Sequence, residues 1–293
     1  MDYILSIITF SLITIIAVSG VFALTGLTGL FSLGQAAFMA LGAYISGLFV
    51  IKFNLPFAIA GIIAIVISTL VGFVVGIPTA KLRRDYISLV TLGFGEAIAA
   101  MLKQAASLTG GSMGLSGIPK KTTFLIAFIS AVVVIIIIAG YKNSKYGRQA
   151  IALRSDELAA QAMGIDIAKI KLITFLLSVA IVSYAGVLYA FFTTYVEPDM
   201  FDWTQSAEWV IMVFFGGVNS LTGSIIAAIL LTALPEALRF ADAFRIILYS
   251  VLVIIIINFK PTGLFGENEL SIKLVKRLFT GNERKVANGY TKN

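Results

Sequence analysis

Residues 141–175 read YKNSKYGRQAIALRSDELAAQAMGIDIAKIKLITF, the longest polar interruption of an otherwise apolar chain ahead of its C-terminal tail. Ser155 or Asp156 can cap a short helix of about eight residues, whose acidic first turn suits the positive end of the helix dipole. Gly164 stands where the end of a helix favours a residue with positive φ, and Asp166 can cap a second helix. The stretch therefore predicts a small structured unit that either docks into a partner's groove or rests on the lipid surface.

The rest of the chain is apolar. Hydrophobic residues make up 59% of 293 positions and the mean hydropathy is +0.98, whereas soluble domains are about 45–50% apolar. This composition predicts an all-α, polytopic transmembrane helical bundle of about nine segments, of which some are short or broken. The predicted segments are 3–24, 35–53, 57–80, 86–104, 122–141, 171–194, 207–218, 221–238 and 243–259.

Charge predicts which ends of these segments face the cytoplasm. Most basic residues lie in 81–84, in 142–171 and from Lys260 onward, whereas the loop 197–208 carries four acidic residues and no basic one. By the positive-inside rule the three basic regions are cytoplasmic and the acidic loop lies outside. We therefore expect a transmembrane domain over 1–266 and a basic cytoplasmic tail over 267–293.

Two glycine-rich stretches predict interrupted helices. Residues 25–38 read TGLTGLFSLGQAAF, and the partly similar GGVNSLTGSIIAA occupies 216–228. Irregular backbone at membrane depth is tolerated only where protein or a water-filled cavity satisfies it, so the breaks indicate a substrate pathway. The alternative is that the glycines permit close helix packing. The candidate pathway residues in these stretches are Thr28, Gly29, Ser32, Gln35, Gly216, Gly217 and Ser220.

Two further features add candidates to the pathway. Glu96 lies inside the fourth segment, where a carboxylate costs about 2.5–3.5 kcal/mol, so it faces the interior, a partner or water. A hydrogen-bonded packing residue is the alternative reading of Glu96. In the outer loop 107–119, the amides of Gly110 and Gly111 could bind a carboxylate or the loop could close over a pore. An ordinary flexible loop would also fit that composition.

Absent residue types exclude several kinds of chemistry. The chain has no cysteine and no histidine, which removes the usual zinc ligands and the usual catalytic base. It contains no G-x-x-x-x-G-K-[ST] motif, so any ATP used with it is bound and hydrolysed by another chain. We therefore expect no enzyme activity, no metal and no cofactor.

Three stretches resemble the LivM-type permeases of branched-chain amino acid ABC importers: GLTGLFSLGQAAF, LTGGSMGLSGIP and GRQAIALRSDELAAQAMGI. The resemblance covers residues 25–266, with Met113 as a departure where members often carry a polar or acidic residue. It implies a type II ABC importer-like fold in a prokaryotic cell membrane and no nucleic-acid partner. The implied partners are a second related permease, two cytoplasmic ATPases and an extracytoplasmic binding protein. Within a coupling segment over 142–171, the resemblance implies a role for Arg154, Glu157, Ala160 and Gly164.

The resemblance implies leucine, isoleucine and valine as cargo, and two alternatives stay open. Sister permeases carry urea, amides or other amino acids, so the same machine could serve another substrate. A different class of protein, an ion-coupled secondary transporter, would use Glu96 as its ion-binding group.

Overall fold

The structure is a computed structural model that describes residues 2–237 and the separate positions 250, 251, 254 and 263. Its elements are mainly helices. In chain order they are α1 (Asp2–Val21), which continues as a π-helical segment (Phe22–Gly26), α2 (Gln35–Phe53), α3 (Phe57–Ala80), α4 (Arg84–Gln104), α5 (Ala106–Thr109), β1 (Leu115–Ser116), α6 (Phe124–Asn143), α7 (Lys145–Ser155), α8 (Glu157–Ala162), α9 (Ile167–Thr193), β2 (Tyr195–Val196), α10 (Trp203–Gly216) and α11 (Leu221–Ala237).

Six of the described helices are long and apolar enough to cross a membrane: α1 with its continuation, α2, α3, α4, α6 and α9. The helices α10 and α11 are shorter, with 14 and 17 residues. At 1.5 Å per residue, α10 is about 21 Å long, less than the ~30 Å hydrocarbon core. The predicted polytopic helical bundle with short and broken segments is confirmed. The ninth predicted segment, 243–259, lies almost entirely outside the described residues, and the tail over 267–293 lies wholly outside them.

Helix α9 packs at the centre of the bundle against α1, α2 and α3. Glycines allow these helices to approach closely, because a Cβ atom at Gly42 of α2 would collide with the Ser183 carbonyl of α9. A Cβ atom at Gly72 of α3 would lie 2.9 Å from a methyl group of Val179. Close approach of backbones through small residues is the usual way in which helices associate in lipid.

The faces of α3 and α6 that point away from α9 are apolar and exposed. On α3, Ile62, Val66, Leu70 and Val74 follow one side of the helix at spacings of four residues. An exposed apolar stripe of this length is unfavourable in water and suits the hydrocarbon core of a bilayer. These faces identify the chain as a multi-pass membrane protein.

The basic regions 81–84 and 142–171 meet at one end of the bundle. The Arg84 guanidinium donates to the Arg154 carbonyl at 3.1 Å, and the Lys171 ammonium donates to the Leu82 carbonyl at 3.1 Å. This shared end is the one that charge predicts to be cytoplasmic.

The opposite end is closed by a short antiparallel pair of strands, in which Leu115 of β1 faces Val196 of β2. The Tyr195 hydroxyl donates to the Glu197 carboxylate at 2.8 Å, and this hydrogen bond raises the pKa of Tyr195, which therefore stays a donor. Lys121 lies at this acidic end too, since its backbone N–H donates to the Phe191 carbonyl. Lys121 is thus an exception to the positive-inside pattern.

Candidate functional site at the helix breaks

The first helix is broken where the glycine-rich stretch predicts it. We call the non-helical residues 29–34 the first break. The Thr25 hydroxyl donates to the Leu30 carbonyl at 3.1 Å, and the Leu33 N–H donates to the Thr91 hydroxyl of α4 at 3.2 Å. The irregular backbone is therefore satisfied by protein groups from its own helix and from α4, as membrane depth requires.

Two glycine positions show where the first break lies. Gly29 has a φ of +70°, which only a residue without a Cβ atom adopts freely. A Cβ atom there would lie 2.8 Å from Cγ of Arg154 and 3.4 Å from the Arg84 guanidinium. Gly34 packs so closely on α4 that a Cβ atom would collide with the Thr91 carbonyl. The break therefore lies between the cytoplasmic basic residues and the middle of α4.

A second break, residues 217–220, separates α10 from α11. Gly217 has a φ of +114°, and its N–H donates to the Val213 carbonyl at 3.1 Å. The Ser220 hydroxyl accepts from the Gly223 N–H at 3.0 Å and so caps the start of α11. Gly216 and Gly223 touch through their backbones, where a Cβ atom on either would collide with the other.

The two breaks lie against each other. A Cβ atom at Gly26 would lie 2.9 Å from the Val218 carbonyl oxygen, and the Phe31 and Phe214 rings stack with their centroids 5.4 Å apart. The structure thus brings together the two groups of pathway candidates that the sequence places 180 residues and more apart. The candidates so assembled are Thr28, Gly29, Ser32, Gln35, Gly216, Gly217 and Ser220.

Buried polar atoms without partners occur at the first break, as they do at six other residues of the described chain. The hydroxyl of Ser32 and both amide atoms of Gln35 are buried and make no hydrogen bond within the described part of the chain. By contrast, the Thr28 hydroxyl donates to the Leu24 carbonyl at 2.6 Å. Because an unpaired buried polar group costs about 1–3 kcal/mol, such groups indicate a place that binds water or a polar solute.

Glu96 is not covered by any other part of the chain that the structure describes. Helix α4 passes the first break at Gly95, where a Cβ atom would lie 3.5 Å from the Gly34 Cα atom. Glu96, the next residue, is exposed and makes no hydrogen bond or ion pair with any described residue. The alternative of a hydrogen-bonded packing residue is therefore wrong for Glu96 within the described chain. Of the six long helices α4 is the least apolar and the least buried, and its exposed side chains include Leu89 and Met101 as well as Glu96.

The outer-loop glycines lie away from the breaks. Gly110 and Gly111 have φ values of +79° and +61°, as a tight loop requires. Their amides already donate within the loop, to the Ala106 carbonyl at 3.1 Å and to the Thr109 hydroxyl at 3.2 Å. Neither amide is therefore available to a carboxylate in this conformation, which is a correction to the sequence-based expectation.

The segment 142–171, which charge predicts to be cytoplasmic and which we call the cytoplasmic segment, forms two helices before α9. The caps are confirmed, because the Asp156 carboxylate accepts from the Leu158 and Ala159 N–H groups and Asp166 accepts from Lys169. Helix α8 has six residues rather than about eight. The sequence reading missed α7, although Ser144 signals its start by accepting from the Gly147 N–H at 3.2 Å.

Of the three alanines of helix α8, Ala159 and Ala162 are exposed and Ala160 is buried. Ala160 is only 4% exposed and packs inward, whereas Leu158 and Met163 are 78% and 83% exposed. Gly164 has the expected positive φ, +80°, and open space around it. The exposed large apolar side chains of this helix and its end are therefore Leu158 and Met163, whereas Ala160 packs inward.

Cations hold this segment to the rest of the bundle. Arg154 donates to the Gly26 carbonyl at 2.8 Å, and the buried Lys171 ammonium binds the Glu157 carboxylate at 2.6 Å. Lys142, at the end of α6, donates to the Asn219 carbonyl in the second break at 2.6 Å. Helix C-terminal carbonyls lack helical partners and carry the negative end of the dipole, so cations stabilise them. Sequence reasoning singled out Arg154 and Glu157 but not Lys142 or Lys171.

Comparison with known proteins identifies relatives over nearly the whole chain. The model of the family described as branched-chain amino acid transport system / permease component matches residues 3–257. The LivM high-affinity branched-chain amino acid transport permease proteins of Salmonella typhimurium and Escherichia coli are each 31% identical over 302 aligned positions, covering 92% of this chain and 71% of each relative. A LivH permease protein of Salmonella typhimurium is 23% identical over 204 positions, 69% of this chain and 65% of the relative. No solved structure gives a significant match.

Proposed function

The chain belongs to the family of branched-chain amino acid transport permease components, and we propose that it forms half of the translocation pore of an ATP-driven importer. In this role it couples ATP hydrolysis by partner subunits to the movement of leucine, isoleucine and valine. One observation carries the proposal: Arg154 in the cytoplasmic segment directly contacts the end of the first helix, at the Gly26 carbonyl. A segment in such contact can move the break when the segment itself moves.

The uncovered face of α4, which carries Glu96 among apolar residues, supports a second permease as the neighbour. Relatives of this chain include both LivM and LivH proteins, so permeases of this family occur as two related chains. Glu96 is exposed midway along α4, beside the first break. Since a carboxylate facing hydrocarbon costs about 2.5–3.5 kcal/mol by the mildest scales, this face suits a partner helix or pore water.

The exposed face of α8 supports docking of a cytoplasmic ATPase. Leu158 and Met163 are large apolar side chains at the end of the bundle that carries the basic clusters. Exposed apolar residues outside the bilayer indicate a protein interface. The chain itself lacks a phosphate-binding loop, so ATP binding falls to that partner. At the other end, the acidic loop 197–208 is the surface for an extracytoplasmic binding protein.

The chemistry of the two breaks suits a zwitterionic amino acid with an apolar side chain. The unpaired polar atoms of Ser32 and Gln35 can bind a carboxylate or an ammonium group without a fixed charge. Phe31 and Phe214 add apolar surface beside them. Weak polar contacts with an apolar lining let the substrate leave, and selectivity then rests with the binding protein.

Reconstitution in proteoliposomes tests this function. We expect labelled leucine, isoleucine and valine to accumulate only when the chain is combined with the second permease, the ATPases, the binding protein and ATP. ATP-independent accumulation by the chain alone, abolished by Glu96→Gln, would instead establish an ion-coupled transporter. A complete set that moves urea but no leucine would keep the ATP-driven mechanism and refute the cargo.

A further inference from the structure

A basic side chain from the cytoplasmic segment holds a carbonyl group at each of the two helix breaks. Arg154 of α7 holds the end of the first helix, and Lys142, at the end of α6, holds the second break. Both residues lie within 142–171, although the carbonyls that they contact are 128 and 77 residues away in the chain. The two contacts therefore connect one cytoplasmic segment to both interrupted helices.

The Arg154 side chain contacts the first helix end at two points. Its Nη1 atom donates to the Gly26 carbonyl at 2.8 Å. Its Cγ atom lies 2.8 Å from the position that a Cβ atom on Gly29 would occupy. The backbone of Arg154 is itself held, because Arg84 of α4 donates to its carbonyl at 3.1 Å. Arg154 is thus fixed at both ends, with its backbone tied to α4 and its guanidinium tied to the first helix.

The Lys142 ammonium lies between the second break and the first helix. It donates to the Asn219 carbonyl at 2.6 Å and lies 5.9 Å from the centroid of the Phe22 ring, within reach of a cation–π interaction. Phe22 begins the π-helical segment that leads into the first break. Lys142 therefore contacts both interrupted helices from the cytoplasmic end of α6.

We propose that Arg154 and Lys142 are positioning residues that transmit movement of the cytoplasmic segment to the two helix breaks. This inference rests on the proposed function, because ATP hydrolysis supplies the movement. When α7 shifts, the Arg154 guanidinium carries the Gly26 carbonyl with it, and Lys142 keeps the second break in step with the first. Without these donors the segment moves while the breaks stay in place.

Arg148 offers a matched control on the same helix. Its guanidinium donates to the Asn143 carbonyl at 2.6 Å, five residues away, so its hydrogen bond stays within the cytoplasmic segment. Arg148→Met, like Arg154→Met, removes one guanidinium group with its positive charge and its hydrogen-bond donors. It removes no contact with either helix break.

The test uses the full reconstituted complex with Val218→Cys as a reporter, since the natural chain has no cysteine. Val218 is half-buried in the second break, and its carbonyl touches the first helix at Gly26. Two quantities are measured in the parent, Arg154→Met, Lys142→Met and Arg148→Met: ATP hydrolysed per leucine transported, and the ATP-dependent change in maleimide labelling at position 218.

We expect Arg154→Met and Lys142→Met each to raise the ATP cost per leucine about tenfold, the scale of one lost charge-assisted hydrogen bond. Both should also abolish the ATP-dependent change in labelling, whereas Arg148→Met should match the parent. Arg154→Lys keeps the charge and one donor group, and it should recover part of the coupling. If Arg154→Met does not assemble, Arg154→Lys and Lys142→Met carry the comparison.

Coupling ratios and labelling equal to those of Arg148→Met in both variants would overturn the inference. Failure of the cargo is distinguishable from this outcome. If the parent complex moves no leucine, the proposed substrate fails, yet ATP-dependent labelling in the parent and its loss in the two variants would still support the transmission of movement. A parent that shows neither transport nor ATP-dependent labelling would refute both.

Discussion

The two helix breaks lie against each other but are closed by different means. At the first break and on either side of it, groups from three other elements bind the chain: Thr91 of α4 accepts from the Leu33 N–H within the break, Arg154 of α7 donates to Gly26 before it, and Ser206 of α10 accepts from the Ala36 N–H after it. The second break is closed mainly by backbone contacts: Gly216 packs against Gly223, Ser220 caps α11, and Gly263 packs so closely that an added Cβ atom would lie 2.6 Å from Gly217.

This difference predicts different mechanical behaviour. A break held by side chains of three elements changes when any of those elements moves, because each hydrogen bond ties it to a separate body. A break closed by direct backbone contact between its flanking helices keeps its geometry while the surroundings move. We therefore expect the first break to be the responsive one, and the second, which we call the rigid corner, to follow through the Lys142 contact with the Asn219 carbonyl.

The largest expected effect is on the rigid corner. Gly216→Ala would force a Cβ atom into the Gly223 backbone, which has no rotamer through which to yield. We expect a loss of about 3 kcal/mol in unfolding free energy, at the upper end of ordinary overpacking, measured by thermal unfolding in detergent.

Gly140→Ala is the matched control, since Gly140 lies in α6 with nothing within 4 Å of an added Cβ atom. Because alanine favours a helix interior over glycine, this change should be neutral or stabilising by about 0.5–1 kcal/mol. Equal destabilisation by the two substitutions would contradict the backbone contact.

A smaller loss of stability is expected at the first break. Gly29→Ala places a Cβ atom at φ +70°, 2.8 Å from Cγ of Arg154, and that side chain can yield through its rotamers at the cost of its hydrogen bond to the Gly26 carbonyl. The left-handed backbone costs about 1–2 kcal/mol, while displacement of Arg154 should reduce transport further than stability.

Gly164→Ala separates the two contributions to that loss. Gly164 has a similar φ of +80° with no atom within 4 Å of an added Cβ, so the variant carries the backbone strain without the contact. The midpoint temperature of thermal unfolding should fall by a similar amount in both variants. Leucine uptake per complex should fall more in Gly29→Ala than in Gly164→Ala. A transport defect in Gly164→Ala as large as that in Gly29→Ala would show that strain alone explains the loss.

Local sequence patterns predicted the elements and breaks of this fold well. The ends of α2 and α3 match the predicted segments 35–53 and 57–80, because a glycine-rich stretch and the Asn54–Pro56 turn bound their apolar runs. The break after α1 followed from glycines and hydroxyls, and the caps of α8 and α9 from Asp156 and Asp166.

Contacts between distant parts of the chain could not be predicted in the same way. The Leu33–Thr91 and Gly26–Arg154 hydrogen bonds join residues 58 and 128 positions apart, and they depend on how whole helices pack. The inward orientation of Ala160 also depends on packing, because a helix of six residues is too short for periodicity to show which side is buried.

The smallest expected effect tests the tie between the first break and α4. Thr91→Val keeps the shape of the side chain and removes the hydroxyl that accepts from the Leu33 N–H at 3.2 Å. The buried N–H is then left without its partner, which should lower the unfolding free energy by about 1–2 kcal/mol. Thr69→Val is the control, because the Thr69 hydroxyl donates only to the Ile65 carbonyl of its own helix.

Hydrogen exchange locates the change: the Leu33 amide should exchange faster in Thr91→Val and stay protected in Thr69→Val. If the first break depends on α4 as the structure indicates, this faster exchange extends across residues 29–34 and leaves 217–220 unaffected, whereas equal acceleration in both breaks would mean that they open together.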